Sequence, residues 1–219
     1  MEQPKNNFKI VSDKKARMIL PNAITLIGVC IGLSSIKFAL DGKFTLAVIA
    51  ILFAGLMDAL DGRIARLIKG TSKMGKELDS LGDVISFGVA PAFIMYFWNL
   101  QYQDKLGWFV CLIYVVCVAL RLARFNVNSN EEPSWRDNFF EGVPSPAGGI
   151  IVLMPLILSF SGFGEIFFKI NYDIVVPTFF IVVSILLIST IPTYSFKKIV
   201  IPRAMTKFLL FGMVLFFGA

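Results

Sequence analysis

Met57-Asp58-Ala59-Leu60-Asp61-Gly62-Arg63-Ile64-Ala65-Arg66 and, nine positions on, Gly75-Lys76-Glu77-Leu78-Asp79-Ser80-Leu81-Gly82-Asp83 decide how this chain folds. The first stretch closes the apolar run 44–60 and the second opens the apolar run 78–98. About 20 mostly apolar residues carry a helix across a hydrocarbon core roughly 30 Å thick, so the acids fall at the adjoining ends of two membrane spans. A short loop between the spans makes the helices antiparallel neighbours. Asp58 and Asp61 are three residues apart, and Asp79 and Asp83 are four apart. Each pair therefore shares a helix face, and all four carboxylates can converge at one depth.

Working outward, the runs 23–40, 106–125, 142–164 and 174–196 bring the expected spans to six. The fold class expected is an all-α integral membrane bundle of six transmembrane helices. The composition agrees: of 219 residues, 56% are apolar and only 16% charged, where soluble domains carry about 25% charge. Residues 1–20 read as a cytoplasmic segment with an interfacial helix, Phe8, Val11 and Ile19 alternating with basic residues. With no small-residue cleavage site after Lys14, Lys15 and Arg17, the first helix reads as retained rather than as a signal peptide. Residues 21–196 form the six-helix domain. The basic segment 197–219 ends in an apolar run of about 18 Å as helix, a partial or truncated seventh span.

Seventeen of the 21 Lys and Arg lie before the first span or in the loops 63–76, 121–136 and 197–207. The positive-inside rule makes these segments cytoplasmic, which puts the N-terminus and the acids on that side, in what is expected to be a bacterial inner membrane. The net charge of +6 is thereby explained by topology, and no nucleic-acid partner is expected. The absence of His excludes a His-ligated zinc or a Ser-His-Asp triad within the chain. Cys30, Cys111 and Cys117 stand singly in apolar runs and read as packed or lipid-facing thiols.

An Asp near the centre of a membrane helix costs on the order of 2.5–3.5 kcal/mol, less near the interface. Four together call for cations among them. Oxygen ligands without His or Cys favour Mg²⁺, Mn²⁺ or Ca²⁺. Gly62, Ala65 and Gly75 leave room for a bulky ligand, and Arg66 offers a fork suited to phosphate oxygens. Together these describe a pyrophosphate site at a membrane interface.

As one string, Asp58-x2-Asp61-Gly62-x2-Ala65-Arg66-x8-Gly75-x3-Asp79-x3-Asp83 resembles the signature of the CDP-alcohol phosphatidyltransferases at every fixed position and spacing. The resemblance implies a homodimer that transfers a phosphatidyl group from a CDP-lipid to an alcohol and releases CMP. It also implies two ions, Mg²⁺ or Mn²⁺, held by Asp58, Asp61, Asp79 and Asp83, with Asp83 as the base. Gly62, Ala65, Arg66 and Gly75 would accommodate the CDP part.

The acceptor is read from the flanks. Ser80-Leu81-Gly82-Asp83-Val84-Ile85-Ser86-Phe87-Gly88-Val89-Ala90-Pro91 is similar to the phosphatidylserine synthase branch, as are Ala119-Leu120-Arg121-Leu122-Ala123-Arg124-Phe125-Asn126 and Phe140-Glu141-Gly142-Val143-Pro144-Ser145-Pro146. This resemblance implies CDP-diacylglycerol and L-serine as substrates, beside membrane lipids. Gly82 stands where Ala is more usual. Serine carries a carboxylate, so Arg121 and Arg124 become candidates to hold it, against their reading as cytoplasmic anchors. Ser86 and Ser145 are candidate pocket residues; Pro144 and Pro146 either shape the acceptor loop or start the fifth span. Asn22, after Pro21, is a helix N-cap or faces the pyrophosphate. The competing readings are the same family with glycerol 3-phosphate or inositol phosphate as acceptor, and a small cation transporter using the acids as its path.

Overall fold

The computed structural model describes residues 13–68, 70, 72–128, 139–141, 143–160, 171–189 and 192–194. Helix α1 (Asp13–Leu40) and helix α2 (Phe44–Leu67) form an antiparallel hairpin. The turn between them follows from Gly42, whose φ is +73°. Lys43 N–H bonds to the Phe38 carbonyl at 2.8 Å and Gly42 N–H to that of Ala39 at 3.0 Å, the paired bonds that close a helix on a left-handed glycine. Small residues then let the two helices approach. A Cβ on Gly28 would lie 3.2 Å from the Met57 side chain, and Ala47, Ala50 and Ala54 are buried along the same seam.

After a short connection, Ser72 caps helix α3 (Lys73–Asp83), its Oγ accepting the Gly75 N–H at 2.9 Å. Helix α3 runs through a π turn, Val84–Val89, into helix α4 (Ala90–Trp98). A 3₁₀ turn, Leu100–Gln103, leads to helix α5 (Asp104–Asn128). Helices α6 (Ser145–Val152), α7 (Met154–Phe160) and α8 (Tyr172–Ile188) complete the bundle. Where α4 meets α5, Asn99 Nδ2 donates to Asp173 Oδ1 at 3.1 Å and Gln103 Nε2 to the Asp173 carbonyl at 2.6 Å, which fixes the start of α8.

The core lies around α4, α5 and α8, where Tyr114, Phe87, Phe180 and Met95 are almost fully enclosed. Leu26, Leu33, Ile49, Phe109, Val116 and Ile185 remain exposed, an outer apolar surface that suits lipid. Four stretches among the described residues are long and apolar enough to cross a membrane: Ile19–Leu40, Phe44–Leu67, Lys73–Trp98 and Leu100–Val127.

The structure departs from the sequence reading in several places. The expected interfacial helix is not a separate element over its described part, because the backbone runs from Asp13 through Pro21 into the first span as one helix. Over its described residues the run 142–164 is not one rod: α6 ends at Val152 and α7 starts at Met154, since Pro155 has no N–H and its ring crowds the carbonyl four residues back. The helical bundle also carries a short antiparallel ladder, β1 (Phe139–Glu141) on β2 (Pro192–Tyr194), with Phe140 opposite Thr193. Residues 1–12 and the segment 197–219 with its partial seventh span lie outside the described residues.

Helix α6 packs directly on the π turn. A Cβ on Gly149 would lie 3.1 Å from the Phe87 Cα and carbonyl oxygen, and a backbone held by neighbours on both sides cannot give way. Gly149→Ala is therefore expected to destabilise the bundle by about 1–3 kcal/mol, read as a lowered melting temperature of the detergent-solubilised protein.

Candidate active site

Helix α2 does not stop where its apolar run stops. It continues for two turns beyond Leu60, which places Asp58, Asp61, Gly62 and Ala65 on one face at helical spacing. The N-terminal end of α3 stands opposite. One carboxylate oxygen from each of Asp58, Asp61 and Asp79 lies within 4.8 Å of the other two. Two oxygens bound to one hard cation at 2.1–2.6 Å are at most about 4–5 Å apart, so this all-oxygen set fits a divalent ion of that class. Asp83, one turn further along α3, is not in that closest set, but it lines the same small cavity together with Asp58, Asp61, Asp79 and Ser86.

Asp61 is the most enclosed of these acids, at 3% exposure. It accepts a hydrogen bond from Thr25 Oγ1 of α1 at 2.6 Å, a contact made possible by the close α1–α2 seam. The partnership of Thr25 with an acid 36 residues away has no sequence signal.

Beside the acids opens a cavity of about 550 Å³, within the size range of small-molecule and cofactor pockets. Asn22 and Thr25 line it from α1, Asp61, Gly62, Ala65 and Arg66 from α2, and Gly75 and Asp79 from α3. Each residue expected to accommodate the CDP part is therefore on this wall. The two glycines serve different ends. A Cβ on Gly62 would meet nothing within 4 Å among the described residues, so its absence is clearance. A Cβ on Gly75 would lie 2.9 Å from Asn22 Oδ1 and 3.1 Å from Ser72 Oγ; this glycine admits Asn22 and the helix cap instead. Asn22 lies well inside α1, which overturns its reading as an N-cap and leaves the cavity-facing one. Gly82 likewise packs on α1, where an added Cβ would lie 3.1 Å from Val29. Lys73 and Lys76 also reach this cavity. The sequence reading missed them, although their positions on either side of Gly75 would have revealed them.

The two arginines of α5 have different surroundings. Arg121 Nη1 donates to the buried Ser145 Oγ at 2.5 Å. Its Nε is buried and has no hydrogen-bond partner among the described residues, and its charge interacts with Asp83. Arg124 is exposed and donates to the Ile188 carbonyl at 2.9 Å, a cation on the last turn of α8. Spacing alone had paired the two; the packing of α6 and α8 on α5 separates them. Ser145 opens α6 with Pro146 in its first turn, a position that suits proline. Gly142, between the ladder and α6, lies outside the described residues.

Residues 18–191 match the family model described as CDP-alcohol phosphatidyltransferase. A Mycobacterium tuberculosis protein named CDP-diacylglycerol--serine O-phosphatidyltransferase is 40% identical over 187 residues, 84% of this chain and 64% of that one. A Helicobacter pylori protein of the same name is 35% identical over 181 residues, 83% of this chain and 74% of its own length. One from Saccharomyces cerevisiae is 40% identical over 127 residues, 55% of this chain and 45% of that one. The chain thus spans just under two thirds of the length of the mycobacterial relative it matches. With the signature acids gathered on one cavity and a family match over most of its length, the chain belongs to the CDP-alcohol phosphatidyltransferase family.

Proposed function

We propose that the protein transfers the phosphatidyl group of CDP-diacylglycerol to the hydroxyl of L-serine and releases CMP. The observation that carries this reading is the shared cavity: Asn22, Gly62, Ala65, Arg66 and Gly75 surround about 550 Å³ that is floored by Asp61 and Asp79. The printed names of the relatives support the choice of donor and acceptor.

Asp58, Asp61, Asp79 and Asp83 would hold divalent cations, two Mg²⁺ or Mn²⁺ ions, which when bound neutralise pyrophosphate charge and polarise the phosphorus. Gly62 and Ala65 leave the space that the nucleotide fills. Arg66 and Asn22 orient its phosphate and sugar oxygens. Arg121, half-buried and held by Ser145, presents its free Nε–H to the serine carboxylate. Asp83 takes the hydroxyl proton as the serine oxygen bonds to the phosphatidyl phosphorus; the P–O bond to CMP breaks and CMP leaves with the electron pair. Ser86 borders the acceptor side of this space. Arg124 contributes by holding the end of α8.

In this reading residues 21–196 form a catalytic domain of six spans, with 1–20 and 197–219 flanking it on the cytoplasmic side of a bacterial inner membrane, and two copies form a homodimer. The lipid tails stay in the bilayer while nucleotide and serine enter from water.

Purified protein in mixed micelles is expected to release CMP from CDP-diacylglycerol only when serine is added. EDTA abolishes the release, and Mg²⁺ or Mn²⁺ restores it. Equal turnover with glycerol 3-phosphate or inositol phosphate in place of serine would remove the acceptor assignment, and metal-independent turnover would remove the ions. Asp83→Asn is expected to lower kcat by about 10²–10⁴-fold with binding little changed. Arg121→Ala is expected to raise the serine KM by roughly tenfold or more, the loss of a charge-assisted hydrogen bond; an unchanged KM would return Arg121 to a packing role. For orientation, a lone thiol at Lys43→Cys in intact cells should react with a membrane-impermeant maleimide, and one at Met74→Cys should be protected.

A further inference from the structure

Asp79 and Asp83 stand on a helix that widens one residue later. From Val84 to Val89 the backbone forms a π turn, and the Ala90 N–H bonds to the Ile85 carbonyl, five residues back. The cause is Pro91. In an unbroken α-helix the Phe87 carbonyl would receive the N–H of residue 91. Proline has no N–H, and its ring presses against that same carbonyl. Widening the turn relieves the crowding, and the Phe87 carbonyl loses inside the core the N–H that an unbroken α-helix would give it.

Tyr114 of α5 supplies the donor. Its hydroxyl donates to the Phe87 carbonyl at 2.7 Å. The side chain is fully buried, and its ring sits edge-on to Phe180 with centroids 5.3 Å apart. The surroundings are shaped to the widened backbone. A Cβ on Gly32 of α1 would lie 2.5 Å from Ser86 Oγ, and one on Gly149 of α6 would lie 3.1 Å from the Phe87 backbone. A π turn adds one residue to a turn, which rotates the residues on its two sides by about 100° relative to a continuous α-helix. That rotation offsets the faces on either side of the turn: Asp79 and Asp83 before it line the acid cavity, while Ile94 and Met95 after it lie in the core.

We infer that Tyr114 is a positioning residue of the acid cluster: by holding the Phe87 carbonyl it keeps the π turn open and thereby sets how Asp83 and Ser86 are presented to α1 and α2. The kinetic part of the test rests on the proposed transferase reading; the metal part does not.

Tyr114→Phe keeps the ring and removes only the donor. It is expected to lower the melting temperature and to reduce kcat on the order of 10- to 100-fold, the scale of a misplaced reacting group. The KM for CDP-diacylglycerol should stay nearly unchanged, because that cavity is built from α1, α2 and the first turns of α3. Adding Pro91→Ala returns a backbone N–H to the Phe87 carbonyl and lets the helix close. The double variant should regain melting temperature while kcat stays low, and the Mn²⁺ concentration that gives half of the metal-induced thermal shift should rise severalfold. Recovery of kcat together with stability, or wild-type kcat in Tyr114→Phe, would overturn the inference and leave Tyr114 a packing residue. If Tyr114→Phe does not fold, the double variant alone decides between these results. If the wild-type protein shows no serine-dependent CMP release, the transferase reading fails, and the Mn²⁺ shift decides: an unchanged midpoint in the variants overturns the inference.

Discussion

A carboxylate taken out of water must find a cation or a hydrogen-bond donor, and four of them on facing membrane helices must find several at once. That constraint organises the cytoplasm-facing half of the bundle in the proposed orientation. The seam around Gly28 brings α1 close enough for Thr25 to serve Asp61. Ser72 starts α3 so that Asp79 arrives at the depth of Asp58 and Asp61. Ser86, three residues beyond Asp83 at the start of the π turn, lines the same cavity.

The site is a series of compartments rather than one pocket. The wide cavity between the start of α1, the end of α2 and the start of α3 carries the basic side chains Arg66, Lys73 and Lys76, which suits a ligand rich in phosphate. The narrow cavity beneath it holds the acids. Beyond Asp83 stands Arg121, tied to Ser145 at the head of α6. In the proposed reading these compartments would hold donor, metal and acceptor, an order that suits phosphoryl chemistry, where catalysis is mostly positioning and charge stabilisation. The depth also suits a lipid substrate, whose tails need no extraction from the bilayer.

Glycine carries a different meaning at each position. Gly42 supplies a left-handed turn, Gly62 an open space, Gly75 room for a neighbouring Asn and a helix cap, and Gly28, Gly82 and Gly149 close helix contacts. A motif that prints glycine at two places therefore conceals two separate reasons. Ligand clearance is only one of them.

Much of this was determined by the amino-acid sequence alone. Apolar run length defined the first four spans, and the spacing of Asp58, Asp61, Asp79 and Asp83 put each pair on one face, because both signals are local and periodic. The cavity-lining Gly62, Ala65, Arg66 and Gly75 followed from the same string, and Asn22 from the Pro21-Asn22 pair before the first span. Tertiary structure decided the rest. The similar spacing of Arg121 and Arg124 could not foretell that one would meet Ser145 and the other the end of α8, since the helices they meet lie 24 and 64 residues away. Nor could it reveal that Thr25 bonds Asp61, or that Tyr114 donates to the Phe87 carbonyl, to which Pro91 offers no N–H. Those partners are chosen by the packing of distant helices, and no pattern along the chain records which buried donor will stand opposite which buried acceptor.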